Sequence, residues 1–125
     1  MGDKSRILIV DDSQVMREMI GDLLKTQGYE IVGEAKDGLE ALDQYKRLKP
    51  DIVTMDVVMP KEHGIDAVKK IIAIDKKARI IIISGLYQKS LVMEALKAGA
   101  SDYVIKPFEP SELIETVEKN LGQGS

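Results

Sequence analysis

Five times along this chain a short run of mostly branched apolar residues gives way to a segment whose apolar positions recur at helical spacing. The runs are Arg6-Ile7-Leu8-Ile9-Val10, Tyr29 to Glu34, Asp51-Ile52-Val53-Thr54-Met55, Arg79-Ile80-Ile81-Ile82-Ile83 and Asp102-Tyr103-Val104-Ile105. Unbroken apolar runs of this length suit strands buried on both faces. Only the second alternates, as a strand nearer the sheet edge would. Met16, Met19, Ile20, Leu23 and Leu24 mark a first helix from Ser13 to Gln27, and Gly28 follows where a left-handed stop is expected. Leu39, Ala41, Leu42, Tyr45 and Leu48 mark a second, capped by Asp37 and ended by Pro50. Ile65, Val68, Ile71 and Ile72 mark a third. Leu91, Val92, Ala95 and Leu96 mark a fourth, ended by Gly99, and Pro110 starts a fifth carrying Leu113, Val117 and Leu121. Strands alternating with helices through short connections predict a doubly wound α/β fold. Its five-stranded parallel sheet carries helices on both faces, joined by right-handed crossovers.

The 125 residues suit a single domain over 1–125, with a core from about 6 to 121 and a tail from Gly122. Charge excludes more function classes than size does. Lys and Arg total 18 against 21 Asp and Glu, so a net charge of −3 gives no reason to expect nucleic acid or an anionic membrane as partner. Zero Cys excludes disulfides, thiol catalysis and thiolate metal sites, and one His excludes a multi-His zinc site within the chain. No stretch is apolar enough to span a bilayer, and the first six residues lack the apolar run of a secretory signal, so the expected location is cytoplasmic.

The chemistry collects where the runs stop. Asp11 and Asp12 end the first strand, Asp56 the third, Ser84 the fourth and Lys106 the fifth. All are at carboxyl ends of parallel strands, the edge at which open α/β sheets bind ligands. Asp and Ser after a strand also cap helices, Ser84-Gly85 can be a plain turn, and a lysine is usually solvated. It is their joint occurrence at successive strand ends that points to a site. Were strands one and three neighbours, the crevice between them would join the three aspartates. Carboxylates so crowded repel one another unless a cation compensates them, and the hard cation suited to carboxylates and water is Mg²⁺. A carboxylate oxygen left free could attack an electrophile, with Lys106 and the Ser84 hydroxyl placed to bind the oxygens of the transferred group. That is a phosphoryl-transfer arrangement whose product is an aspartyl phosphate.

With these residues the sequence resembles the receiver domain of two-component response regulators, over about Arg6 to Leu121. The signals are Asp11-Asp12, Met55-Asp56 with Met59-Pro60 and Gly64, Ser84, and Lys106-Pro107-Phe108, in order and at matching strand ends. The resemblance implies the strand order 2-1-3-4-5 of the flavodoxin-like fold. It implies Asp56 as phosphoacceptor from a histidine kinase, and Mg²⁺ held by Asp12, Asp56 and the Val58 backbone carbonyl, with Asp11 acting through water. Lys106 would pair with Asp56 and then with the phosphoryl oxygens, Ser84 would turn inward to them, and Tyr103 would rotate inward as Ser84 moves. Lys106-Pro107 is usually cis in this family. Asp12-Ser13-Gln14-Val15-Met16-Arg17 is similar to chemotaxis receivers rather than to DNA-binding regulators.

Lys61-Glu62-His63-Gly64 departs from the family, where an apolar residue and Asp or Asn often precede the glycine. Val58 and Leu86 occupy positions that tune phosphoryl lifetime in the family; both are apolar, so slow self-hydrolysis is expected. No turnover of external substrates is expected. His63 reads as an exposed loop residue, and Lys69-Lys70 and Lys76-Lys77 as solvated helix faces. Output would run through a protein target docked on helix four, strand five and helix five, where Leu86, Tyr87 and Met93 could add apolar area. The resting state would be a monomer, with a dimer open to the phosphorylated form. A flavin binder would need a Ser/Thr/Gly-rich loop where Asp11-Asp12 stands, and a dehalogenase-type phosphatase would need Asp-x-Asp. A pseudo-receiver that works without phosphorylation, and a receiver cut from a longer regulator, stay open.

Overall fold

The structure, a computed structural model, describes residues 4–57, 64–85 and 89–122. Its elements are β1 (Arg6–Val10), α1 (Gln14–Lys25), β2 (Glu30–Ala35), α2 (Gly38–Leu48), β3 (Ile52–Met55), α3 (Gly64–Ile74), β4 (Ile80–Ser84), α4 (Lys89–Ala98), β5 (Asp102–Ile105) and α5 (Pro110–Asn120). All strand pairs are parallel and the order is β2-β1-β3-β4-β5. The doubly wound arrangement expected from the alternation and the flavodoxin-like strand order implied by the resemblance are therefore both present.

The apolar runs are continuous because each strand feeds two cores. Ile7, Ile9, Ile52, Ile81 and Ile83 face one side with Ile20 and Leu24 of α1 and Leu113 and Val117 of α5. Leu8, Val10, Val53, Met55, Ile80 and Ile82 face the other, under Ala41 and Tyr45 of α2, Val68 and Ile71 of α3 and Ala95 of α4. β2 lies at the edge, and apart from Ala35 its residues are only partly buried or exposed, which is why its sequence alternates.

The local stops act as expected. Ser13 Oγ accepts from Met16 N (3.2 Å) and Asp37 Oδ1 from Glu40 N (2.9 Å), each capping a helix start. Gly28 closes α1 at φ 87°. Three apolar positions assigned to helix cores face outward instead: Met19 is 47% exposed, Leu39 54% and Leu96 42%. Each is at the margin of its apolar stripe, where one more step of 100° carries a side chain off the sheet.

Candidate functional site

The backbone ladder sets the site. Beyond the end of β1, Asp11 N still donates to Ala35 O (3.0 Å), and beyond β3, Asp56 N donates to Val10 O (3.0 Å). Both aspartates are thus held at the carboxyl edge in near-strand positions; Asp11 is 1% exposed and Asp56 8%. Asp12, one residue on, is exposed. One carboxylate oxygen from each of the three is within 4.8 Å of the others. The reading of Asp11, Asp12 and Asp56 as one cluster is realised in space.

β5 brings the cation. Lys106 N donates to Ser84 O (2.9 Å), and the Lys106-Pro107 peptide is cis. Lys106 Nζ donates to Asp11 Oδ2 at 2.8 Å and is 3.6 Å from Asp56 Oδ2. The expected pairing with Asp56 is therefore the longer of two contacts. Asp11 is the more deeply buried carboxylate, and an ammonium gains most against the charge that water reaches least. Asp11 Oδ1 meanwhile accepts from Ser13 N (2.9 Å), so both of its oxygens are engaged. Two of the three carboxylates share one ammonium.

Ser84 is 1% exposed, and a side-chain hydrogen bond joins its hydroxyl to that of Tyr103. Burial raises the Tyr103 pKa, the bond to Ser84 lowers it, and the negative charge of Asp56 raises it, with a net upward shift. Tyr103 packs, half-buried, against the α2–α3–α4 core.

Gly64 closes the loop after β3. A Cβ there would lie 2.4 Å from Asp56 O and 2.5 Å from Val57 Cα, so only glycine lets α3 start against the backbone of Asp56. Val58, Met59, Pro60, His63, Leu86 and Tyr87 lie outside the described residues, and with them the Val58 carbonyl ligand and the positions linked to phosphoryl lifetime. Met93 lines a groove of about 400 Å³ between α3 and α4, with Lys69, Ser90, Glu94, Lys97 and Ala98.

Sequence reasoning missed Arg17. Its Nη1 donates to the Asp11 carbonyl (2.6 Å) and its Nε to Glu34 Oε1 (2.9 Å). The available signal was its place four residues after the N-cap, from which a helical side chain leans back over the preceding loop.

The donor set fits a small hard divalent cation. Two ligand oxygens on one octahedral Mg²⁺ are roughly 3 Å apart when adjacent and 4 Å when opposite. The observed limit of 4.8 Å is within a small adjustment of that, and all three donors are carboxylates. Asp11 already serves Lys106 and Ser13 with its two oxygens.

Comparison with known proteins agrees with this fold. Residues 7–118 match the response regulator receiver domain. The chain is 53% identical to the chemotaxis protein CheY of Thermotoga maritima, covering 91% of this chain and 95% of the relative. It is 48% identical to CheY of Bacillus subtilis, covering 93% and 97%. Among solved structures, the CheX-CheY-BeF3-Mg complex of Borrelia burgdorferi contains a chain that superposes with a TM-score of 0.90 at 36% identity, over 92% of this chain and 87% of that one. With its strand order, its acidic cluster and its lysine accounted for, the chain belongs to the response regulator receiver domain family of two-component signalling systems.

Proposed function

We propose that this protein is a phospho-receiver of a chemotaxis-type pathway, with Asp56 as acceptor. The observation that carries the reading is the placement of a mostly buried Asp56 carboxylate within 4.8 Å of two more carboxylates and 3.6 Å from an ammonium. In the step itself an Asp56 oxygen attacks the phosphorus of a phosphohistidine on the kinase. The P–O bond forms as the P–N bond breaks, and the electron pair returns to the imidazole. Mg²⁺ held by Asp12, Asp56 and the Val58 carbonyl would supply charge neutralisation for the phosphoryl oxygens. Lys106 exchanges Asp11 for a phosphoryl oxygen, and the Ser84 hydroxyl donates to another. Asp11, held by Ser13 N, stays to neutralise the ensemble through water.

Phosphorylation brings extra negative charge and three acceptor oxygens to this edge. When Ser84 turns to them its bond to Tyr103 is broken or remade, and the change passes along β5 to the face formed by α4, β5 and α5. A target protein docked there reads the state. The chemotaxis relatives support this assignment, and the CheX-CheY complex shows that a relative assembles with a protein partner. Apart from transfer to itself and loss of the phosphoryl group, no turnover is proposed; water then attacks the aspartyl phosphate slowly, because Val58 and Leu86 offer it no polar help.

Intact mass after incubation with Mg²⁺ and a small acyl-phosphate donor tests the reading. One phosphoryl adduct, labile to hydroxylamine and absent from Asp56→Asn, is the expected result. An adduct that persists in Asp56→Asn moves the acceptor elsewhere. No adduct and no Mg²⁺ binding would make the chain a pseudo-receiver. In the adduct-bearing protein, Val58→Asn should accelerate loss of the phosphoryl group, and an unchanged rate would remove the lifetime argument.

A further inference from the structure

We infer that Arg17 is a positioning residue for the acidic cluster: it fixes the Asp11–Asp12 peptide from outside and thereby sets the direction of Asp12 toward the cation. The inference rests on the phospho-receiver reading and adds a residue that makes no contact with the phosphoryl group. Arg17 is a residue of α1, and its guanidinium spans two acceptors on different elements. Nη1 donates to the carbonyl of Asp11 at 2.6 Å, and Nε to Glu34 Oε1 on β2 at 2.9 Å. A guanidinium presents its donors in one rigid plane, so two acceptors on separate elements fix that plane where an ammonium could not. The Arg17 side chain is 15% exposed and Glu34 47%, so the pair is sheltered on its arginine side.

The carbonyl it holds belongs to the peptide that joins Asp11 to Asp12. Asp12 is exposed, so its direction follows from its backbone rather than from packing. Asp11 is held at its other polar atoms by Ala35 O, Ser13 N and Lys106 Nζ. One of these holds is temporary, because Lys106 leaves Asp11 to bind the phosphoryl group in the proposed step. Arg17 keeps the loop in place when it does. It also brings a second positive charge to the backbone of Asp11, whose carboxylate shares one ammonium with that of Asp56. The polar contacts then run unbroken across the carboxyl edge: Glu34 of β2, Arg17, Asp11 after β1, Lys106 after β5, and Asp56 after β3. The edge strand β2, which supplies no member of the acidic cluster, becomes its outer brace.

The test is Mg²⁺ binding to the whole chain, by calorimetry and by the ¹H–¹⁵N shifts of Asp12 and Ser13 during titration. Residues that orient metal ligands typically contribute about tenfold or more to affinity, so Arg17→Ala should weaken Mg²⁺ binding by about tenfold. Its Asp12 amide signal should also move before any Mg²⁺ is added. Arg17→Lys reaches one acceptor at a time and should recover only part of the loss. Glu34→Gln keeps an oxygen for Arg17 Nε and should bind Mg²⁺ as the parent does, whereas Glu34→Ala should bind it more weakly. A general loss of stability would not separate Gln from Ala in this way. If Arg17→Ala fails to fold, the Glu34 pair decides. Parent-like affinity in folded Arg17→Ala, or equal affinity in the two Glu34 variants, overturns the inference and leaves the phospho-receiver reading intact. A parent chain that binds no Mg²⁺ overturns that reading, and this inference with it.

Discussion

The two edges of the sheet handle charge in opposite ways. At the amino edge Asp51, Asp75 and Asp102 each have their own donors. Asp51 Oδ2 accepts from Arg6 N (2.7 Å) while the Arg6 guanidinium caps the Leu48 and Lys49 carbonyls at the end of α2 (2.7 and 3.1 Å). Asp75 takes Tyr45 Oη (2.7 Å) and Lys77 N (3.0 Å), and Asp102 takes Lys119 (2.9 Å), Tyr103 N (3.0 Å) and Asn120 (3.2 Å). At the carboxyl edge three carboxylates crowd within 4.8 Å of one another, and two of them share one lysine. The first arrangement closes the fold. The second leaves negative charge uncompensated, and so retains affinity for a cation and for what that cation brings. Burial sharpens the contrast: Asp11 is 1% exposed and cannot be relieved by water.

Removing one cation from each edge should break the symmetry most visibly. Lys106→Met strands the buried Asp11 charge and should cost about 3 kcal/mol in urea unfolding without Mg²⁺. The deficit should narrow when Mg²⁺ is added, because a cation bound only to the native state stabilises it. Lys119→Met at the amino edge removes a 72% exposed partner and should cost about 0.5 kcal/mol or less. Equal costs would mean that the edges are not different in kind.

Truncating one aspartate at each edge should give effects of opposite sign. Asp12→Ala relieves repulsion among the carboxylates and should raise stability in the absence of Mg²⁺ by about 1 kcal/mol. Asp51→Ala leaves Arg6 N without its acceptor and should lower stability by about 1 kcal/mol. Denaturant midpoints of the two variants read the signs directly.

The smallest effect concerns pH. Burial alone would raise the Asp102 pKa, but hydrogen bonds from Lys119, Tyr103 N and Asn120 outweigh it and hold the carboxyl below the usual carboxylate range. A depressed folded-state pKa means that the stabilisation is fully present above the unfolded value, about pH 4, and fades as pH falls through the folded value. The difference between parent and Lys119→Met should therefore be constant near neutrality and shrink in acid. A difference that grows in acid would place the pairing elsewhere.

Much of this contrast was legible in the chain. The five apolar runs, the helix caps at Ser13 and Asp37, and the polar residue at each strand end could be read because each depends on neighbours in sequence. Met19, Leu39 and Leu96 could not be placed, since position on the margin of a stripe depends on how far each helix rolls against the sheet. Arg17 escaped for a related reason: its meaning comes from Glu34, seventeen residues away, and from a backbone carbonyl that has no letter of its own. The preference of Lys106 for Asp11 over Asp56 depended on which carboxylate lies deeper.

By itself, then, the sequence determined the element types, the parallel class of the sheet and the residues that end its strands, because hydrophobic period and capping act over a few residues. The order β2-β1-β3-β4-β5 came to the sequence reading only through family resemblance; in the molecule it is tertiary structure that places β1 beside β3 and gathers Asp11, Asp12 and Asp56. Which carboxylate holds the lysine, and which arginine braces the loop, were likewise decided there. Coulomb interactions and hydrogen bonds depend on distance and desolvation, and between residues 95 apart, as Asp11 and Lys106 are, only the folded chain sets either one.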